Sequence, residues 1–134
     1  MAVTSFCPYC WAEVDVDAVV CPHCHVLLTQ DNRQYVEKLI AALHHPEPLT
    51  QRRAAYVLGL LRNAQAVPAL CALLSESSDP YLQAEAAAAL GSIGGPQAAA
   101  ALHEAAGEAL SVIVRRAAGD ALTKITSAQR DSQQ

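Results

Sequence analysis

This chain is poor in aromatic side chains. One Phe, one Trp and four Tyr make up 4% of its 134 residues, whereas 52% of the residues are hydrophobic, with alanine prominent among them. A core made of small and aliphatic groups favours closely packed helices over sheets. Long apolar runs are also missing. None approaches the ~20 residues that cross a bilayer as a helix, so no membrane partner is expected. The first thirty residues contain no Lys or Arg, only Glu13, Asp15 and Asp17. A segment without cations cannot neutralise phosphates, so nucleic acid is not the expected partner. No basic residue and no apolar stretch precede Cys7, so no signal peptide is expected there. The sequence shows no Ser/His/Asp grouping, no glycine-rich phosphate loop and no HExxH motif, so no enzyme activity is expected.

What is present begins with Cys7-Pro8-Tyr9-Cys10 and Cys21-Pro22-His23-Cys24, two CxxC pairs with ten residues between them. Four thiols so spaced are the ligand set of a structural Zn²⁺ site, each pair closing one side of a tetrahedron. The segment has too little apolar content to fold alone. Metal binding of ~10–16 kcal/mol would then supply its folding free energy. His23 and His25 are competing ligand candidates; four cysteines are preferred because they close the site without help. Iron accepts the same ligand set and stays open as a chemical alternative. Free thiols in this pattern fit a reducing, cytoplasmic location. Short apolar pieces at Ala12–Val14, Val19–Val20 and Val26–Leu28 read as small strands around two metal knuckles, with Asp15 and Asp17 at a turn.

The stretch from Phe6 to Leu28 resembles the compact zinc-ribbon modules at the ends of many bacterial proteins, which repeat a CPxCG knuckle across an acidic or small turn. The resemblance implies Cys7, Cys10, Cys21 and Cys24 as ligands. It departs in two places: the glycine that usually follows each knuckle is Trp11 in the first and His25 in the second. Glycine suits that position where the backbone needs a positive φ.

From Asp31 onward the sequence repeats. A shift of 32 residues superposes Leu58, Leu90 and Leu122; Leu61, Ile93 and Ile125; Ala54, Ala86 and Ala118; and Leu70 with Leu102. Each unit reads as two helices. Asp79-Pro80, Ser111 and, more weakly, Glu47-Pro48 mark helix starts. Asn63, Gly94-Gly95 and Gly107 mark stops. Six helices are predicted at about 34–44, 49–62, 65–75, 80–93, 96–106 and 111–126. Their short connections make neighbours antiparallel. In the last helix Leu110, Ile113, Val114, Ala117, Ala118, Ala121, Leu122 and Ile125 form one apolar stripe. The expected organisation is a β-rich zinc module over 1–30, an all-α short solenoid over 31–126 and a loose tail over 127–134.

The helix ends LTQRRAAYVLGLL, LQAEAAAALGSIG and IVRRAAGDALTKI, with the second helices that follow the first two of them, resemble short HEAT repeats. They are nearest to the HEAT-like repeats named after phycobilin lyases. That resemblance implies an α-solenoid and says little about activity.

Other candidates carry bland readings. His44-His45 reads as an exposed helix end. His103 and Cys71 fall at matching offsets as boundary residues, not a metal pair. Arg52-Arg53 and Arg115-Arg116 read as solvated faces or as partners of Glu47, Glu85 and Asp120. The expected function is a protein-interaction adaptor with a structural zinc site. Its recognition surface would lie on successive second helices, near Lys38, Ala69–Ala72 and Ala101–Glu104. Phe6 and Trp11 are expected to pack the zinc module onto the first helix. Open stack ends leave room for a homodimer. The alternatives are an accessory subunit of a bilin lyase-like enzyme and a nucleic-acid-binding ribbon.

Overall fold

A computed structural model describes residues 3–28 and 33–132. The first part holds two short strands, β1 (Thr4–Phe6) and β2 (Glu13–Asp15). They pair antiparallel, with Thr4 opposite Asp15, Ser5 opposite Val14 and Phe6 opposite Glu13. The Ala12–Val14 piece is thus a strand shifted by one residue. The Val19–Val20 and Val26–Leu28 pieces meet in a single bridge between Val20 and Leu27. β1 has no counterpart in the sequence reading, because Thr-Ser-Phe carries no alternating pattern. All three of its residues are exposed.

The rest is helical: α1 (Tyr35–Ala42), α2 (Pro48–Leu61), α3 (Val67–Glu76), α4 (Pro80–Ile93), α5 (Pro96–Glu108) and α6 (Val112–Ser132), with a 3₁₀ turn at Ala64–Ala66. Pro48, Pro80 and Pro96 each open a helix, where a missing N–H costs nothing. Asp79 caps α4 by accepting from the N–H groups of Tyr81 (2.9 Å) and Leu82 (3.4 Å). Replacing Asp79 with alanine is expected to cost about 1 kcal/mol, read as a lower melting temperature.

Some boundaries differ from expectation. α2 stops at Arg62 in the left-handed region (φ 53), and Asn63 instead caps the following turn by accepting from the Gln65 N–H. Gly107 lies inside α5. α6 runs on to Ser132, through residues expected to form a loose tail. Those residues are exposed, and Ala128, Gln129 and Arg130 are adequate helix formers.

The helices stack in two layers. α4 packs between α2 and α6; α3 packs against α4 and α5, and α5 against α6. Leu43, Leu58, Leu70, Leu90, Leu102 and Val114 are fully buried at the centre. In α6 the buried stripe is Val114, Ala118, Ala121 and Ile125, with Ala117 and Leu122 partly covered. Leu110 and Ile113 do not join it. Leu110 precedes the helix and is 100% exposed, and Ile113 is 40% exposed. The helix starts at Val112, with the Ser111 hydroxyl accepting from the Ile113 N–H, which turns both residues away from the stack.

Two glycines set the spacing of the first-helix layer. A Cβ on Gly59 would lie 2.9 Å from the Ala89 Cα, and a Cβ on Gly91 would lie 2.7 Å from the Ala121 Cβ. Both glycine and alanine recur at the 32-residue period, so the same close approach is used twice. The next position in the series is Thr123, which is exposed: among the described residues no helix covers that face of α6.

Candidate metal centre and repeat surface

Two knuckles of matching geometry bring the cysteines together. In the first, the Trp11 N–H donates to the Cys7 carbonyl and the Cys7 N–H to the Ala12 carbonyl, both at 2.9 Å. In the second, the His25 N–H donates to the Cys21 carbonyl at 2.9 Å and the Cys21 N–H to the Val26 carbonyl at 3.0 Å. The N–H groups of Tyr9 and His23 point at the sulfurs of Cys7 and Cys21, at 3.5 and 3.4 Å. Trp11 and His25, the residues replacing glycine, sit at φ 61 and φ 64. Both therefore hold the left-handed conformation that glycine would adopt without strain, at ~1–3 kcal/mol each.

The four sulfurs lie within 4.8 Å of one another. Cys7 and Cys24 are 3.7 Å apart, as are Cys10 and Cys21. A disulfide needs about 2.05 Å. A tetrahedron of thiolates with ~2.3 Å bonds has edges of ~3.8 Å, so this set fits a tetrahedral metal ion. Cys7 and Cys21 are buried, Cys10 and Cys24 exposed. His23 and His25 are exposed and stand outside the cluster. Among the described residues this is the one group of three or more His, Cys, Asp or Glu side chains close enough to share an ion.

The thiols are electrostatically unequal. N–H donation from Cys24, reinforced by His23 and opposed by burial, brings Cys21 down to about 6. At Cys24 the Val26 N–H pulls the other way, but burial and the neighbouring Cys7, Cys21 and Cys10 sulfurs push the thiol up to about 12. Four crowded sulfurs resist sharing several negative charges, and a bound cation would reverse that resistance. Acid competes with the metal for these sulfurs, so metal affinity should fall as pH is lowered.

The first knuckle also forms the joint with the helices. The Trp11 indole N–H donates to the Ala41 carbonyl at 2.9 Å, at the end of α1. The rings of Trp11 and Phe6 meet His45 edge-on, with centroids at 4.8 and 5.0 Å. Arg33 reaches back to the Pro8 carbonyl (3.2 Å) and lies over the Tyr9 ring (4.2 Å). Phe6 and Trp11 thus pack as expected. His45 does not fit its reading as an exposed helix end: it is half-buried between two rings, and its Nδ1 accepts from the Glu47 N–H. The pairing was not legible because the sequence gives no register between Phe6 and residue 45.

Replacing Trp11 with glycine separates two roles. The substitution relieves the φ strain and removes the indole's contacts with Ala41 and His45 while leaving the four cysteines in place, so a metal held by them should be retained. Amide exchange at the C-terminal end of α1 should speed up severalfold. Unchanged exchange would show that the Trp11 contacts contribute nothing to the joint.

The arginine pairs have separate fates. Arg52 lies over the Tyr81 ring at 5.7 Å with its Nε buried and unpartnered, not on Glu47 or Glu85. Arg115 donates to the carbonyls of Ala109 (2.7 Å) and Leu110 (3.3 Å), closing the end of α5. Cys71 faces the Gln97 carbonyl at 4.0 Å, and burial raises its thiol; His103 is exposed.

Between α3 and α5 runs an open groove of about 940 Å³. Ala72, Ala101, Ala105, Glu104 and Glu108 line it, together with Leu110 at one end. The expected recognition surface therefore coincides with it at Ala72, Ala101 and Glu104, whereas Lys38 and Ala69 lie outside its lining.

The helical part has known counterparts. Comparison with curated proteins finds no match. Human deoxyhypusine hydroxylase, solved in complex with glycerol, is 33% identical, with a TM-score of 0.66 over 69% of this chain. This chain spans about a third, 32%, of that enzyme. No helix among the described residues is long and apolar enough to cross a membrane. The family model for HEAT repeats matches residues 36–123, which takes in all or part of every helix from α1 to α6. The chain therefore belongs to the HEAT repeat family.

Proposed function

We propose that this chain is a non-catalytic protein-interaction scaffold carrying a structural zinc ion on Cys7, Cys10, Cys21 and Cys24. The observation that carries the reading is the open groove along α3 and α5, built by successive second helices of the repeats. HEAT repeats commonly present such surfaces to other proteins. The four-cysteine set supports the zinc assignment: all four positions are thiols, the sulfur spacing suits a closed tetrahedron, and no water-accepting fourth position is left for catalysis. When bound, the ion would serve as a crosslink that fixes the two knuckles. A reducing compartment such as the cytoplasm suits four free thiols.

The likeness to a hydroxylase motivates an enzymatic second reading. Against it, among the described residues no cluster of three or more His, Cys, Asp or Glu side chains within ion-sharing distance falls in the HEAT-repeat region 36–123. Ala100 also lines the groove, and the test is capture of binding proteins by the intact metal-loaded chain beside its Ala100→Arg variant, which places a long cation there. The scaffold reading expects a protein recovered by the parent and lost with the variant. A chain that retains no protein at all would defeat it.

A further inference from the structure

Charge is segregated along this chain in a way that identifies what the groove suits. From residue 63 to residue 114 there is no Lys or Arg, and Glu76, Asp79, Glu85, Glu104 and Glu108 fall in that stretch. These residues build α3, α4 and α5. The cations sit elsewhere, chiefly on α2 and α6.

Two further features place negative potential at the groove. Glu104 and Glu108 both line it, one helical turn apart, where like charges repel. Glu76 and Glu108 end α3 and α5, at equivalent positions of the 32-residue repeat. Carboxylates there add to the negative end of the helix dipole, and neither helix has a basic residue in its last turn. Arg115 brings one cation to the α5 end, where it donates to the carbonyls of Ala109 and Leu110, so the negative potential lies along the helix at Glu104 and Glu108. The lining is mostly of small side chains, alanines interspersed with Ser75, Ser77 and Ser78, and Leu110 at the rim is fully exposed.

We infer that the α3–α5 groove docks a cationic amphipathic helix of a partner protein, its apolar side on Ala101, Ala105 and Leu110 and its Lys or Arg residues on Glu104 and Glu108. This rests on the scaffold reading and names the partner's chemistry. An alanine-leucine helix lies close to a floor of small side chains, and its cations relieve the repulsion between the two glutamates.

The probe is a fluorescein-labelled 16-residue Leu/Ala/Lys helix, with Gln-for-Lys and Glu-for-Lys versions, followed by anisotropy on the metal-loaded full chain. The Lys peptide should bind at least ~10-fold tighter than the Glu peptide and weaken severalfold between low and high salt. The exposed double variant Glu104→Gln/Glu108→Gln should lose most of that preference, and Glu104→Lys/Glu108→Lys should reverse it. Equal binding of the three peptides, or a preference untouched by both variants, overturns the inference. So does self-association of the chain abolished by Glu104→Gln/Glu108→Gln, which would assign the groove to a second copy. A photo-crosslinker at Tyr56, an exposed residue of α2 outside the groove lining, separates this inference from the scaffold reading. A protein captured there, with no Lys-peptide preference in the groove, defeats this inference and leaves the scaffold standing. No capture at either place defeats both.

Discussion

Chelating the zinc ion proposed for the four cysteines, or replacing Cys21 with serine, is expected to unfold residues 3–28 while α2 to α6 stay folded. The module has little else to hold it. Its buried residues are Cys7, Val14 and Cys21, with Ala18, Val26 and Leu28 packed against them. Two three-residue strands complete it. Ordering a residue's backbone costs roughly 1–2 kcal/mol, and two strained residues add ~1–3 kcal/mol each, so this small core cannot hold the fold alone. Metal binding of ~10–16 kcal/mol can. Trp11 is the one tryptophan in the chain and packs on His45 across the joint, so its emission reports directly on the change. Chelation should shift that emission to the red as the indole enters water. Helical circular dichroism should fall little, and added Zn²⁺ should restore the original spectrum. An emission spectrum unchanged by chelation would contradict the assignment.

The second large effect is in the stack. Replacing Gly91 with alanine puts a Cβ 2.7 Å from the Ala121 Cβ and 2.9 Å from the Ala121 Cα. Neither atom is the end of a flexible side chain, so α4 and α6 must separate. Overpacking of this kind costs ~1–3 kcal/mol and outweighs the ~1 kcal/mol that alanine gains over glycine in a helix. Gly119→Ala is the control, since nothing lies within 4 Å of its Cβ. That variant should gain ~0.5–1 kcal/mol. The two melting temperatures should therefore move in opposite directions from the parent, by several degrees. A Gly91→Ala protein as stable as Gly119→Ala would show that the close approach is not what spaces the layers.

Gly91 also shows what the sequence made legible. The 32-residue period that aligned Leu58, Leu90 and Leu122 equally aligns Gly59 with Gly91, and Ala89 with Ala121. The close contact was thus recoverable from the pattern, although the repeated glycine reads by eye as a mere helix signature. Helix starts were legible because Pro48, Asp79-Pro80 and Pro96 act locally. Helix ends were less so. Arg62 takes a left-handed conformation that no composition rule assigns to arginine, and Gly107 is carried inside α5 by its neighbours. That the four cysteines converge was legible from their spacing, because two CxxC turns bring their sulfurs to one point. The joint was not. It depends on where the first knuckle lands on α1, a tertiary choice that leaves no periodic mark at Phe6, Arg33 or His45. The groove lay between these cases: its helices followed from the repeat, whereas the exposure of Leu110 depended on where α6 began.

The most direct measurement counts metal and reactive thiols on the same sample. The account predicts one zinc ion per chain, with Cys7, Cys10, Cys21 and Cys24 protected from alkylation. Cys71 alone should react, slowly, because burial raises its thiol. A purified chain holding no metal, with all five cysteines open to reagent and Trp11 emission unaltered by their modification, would contradict it.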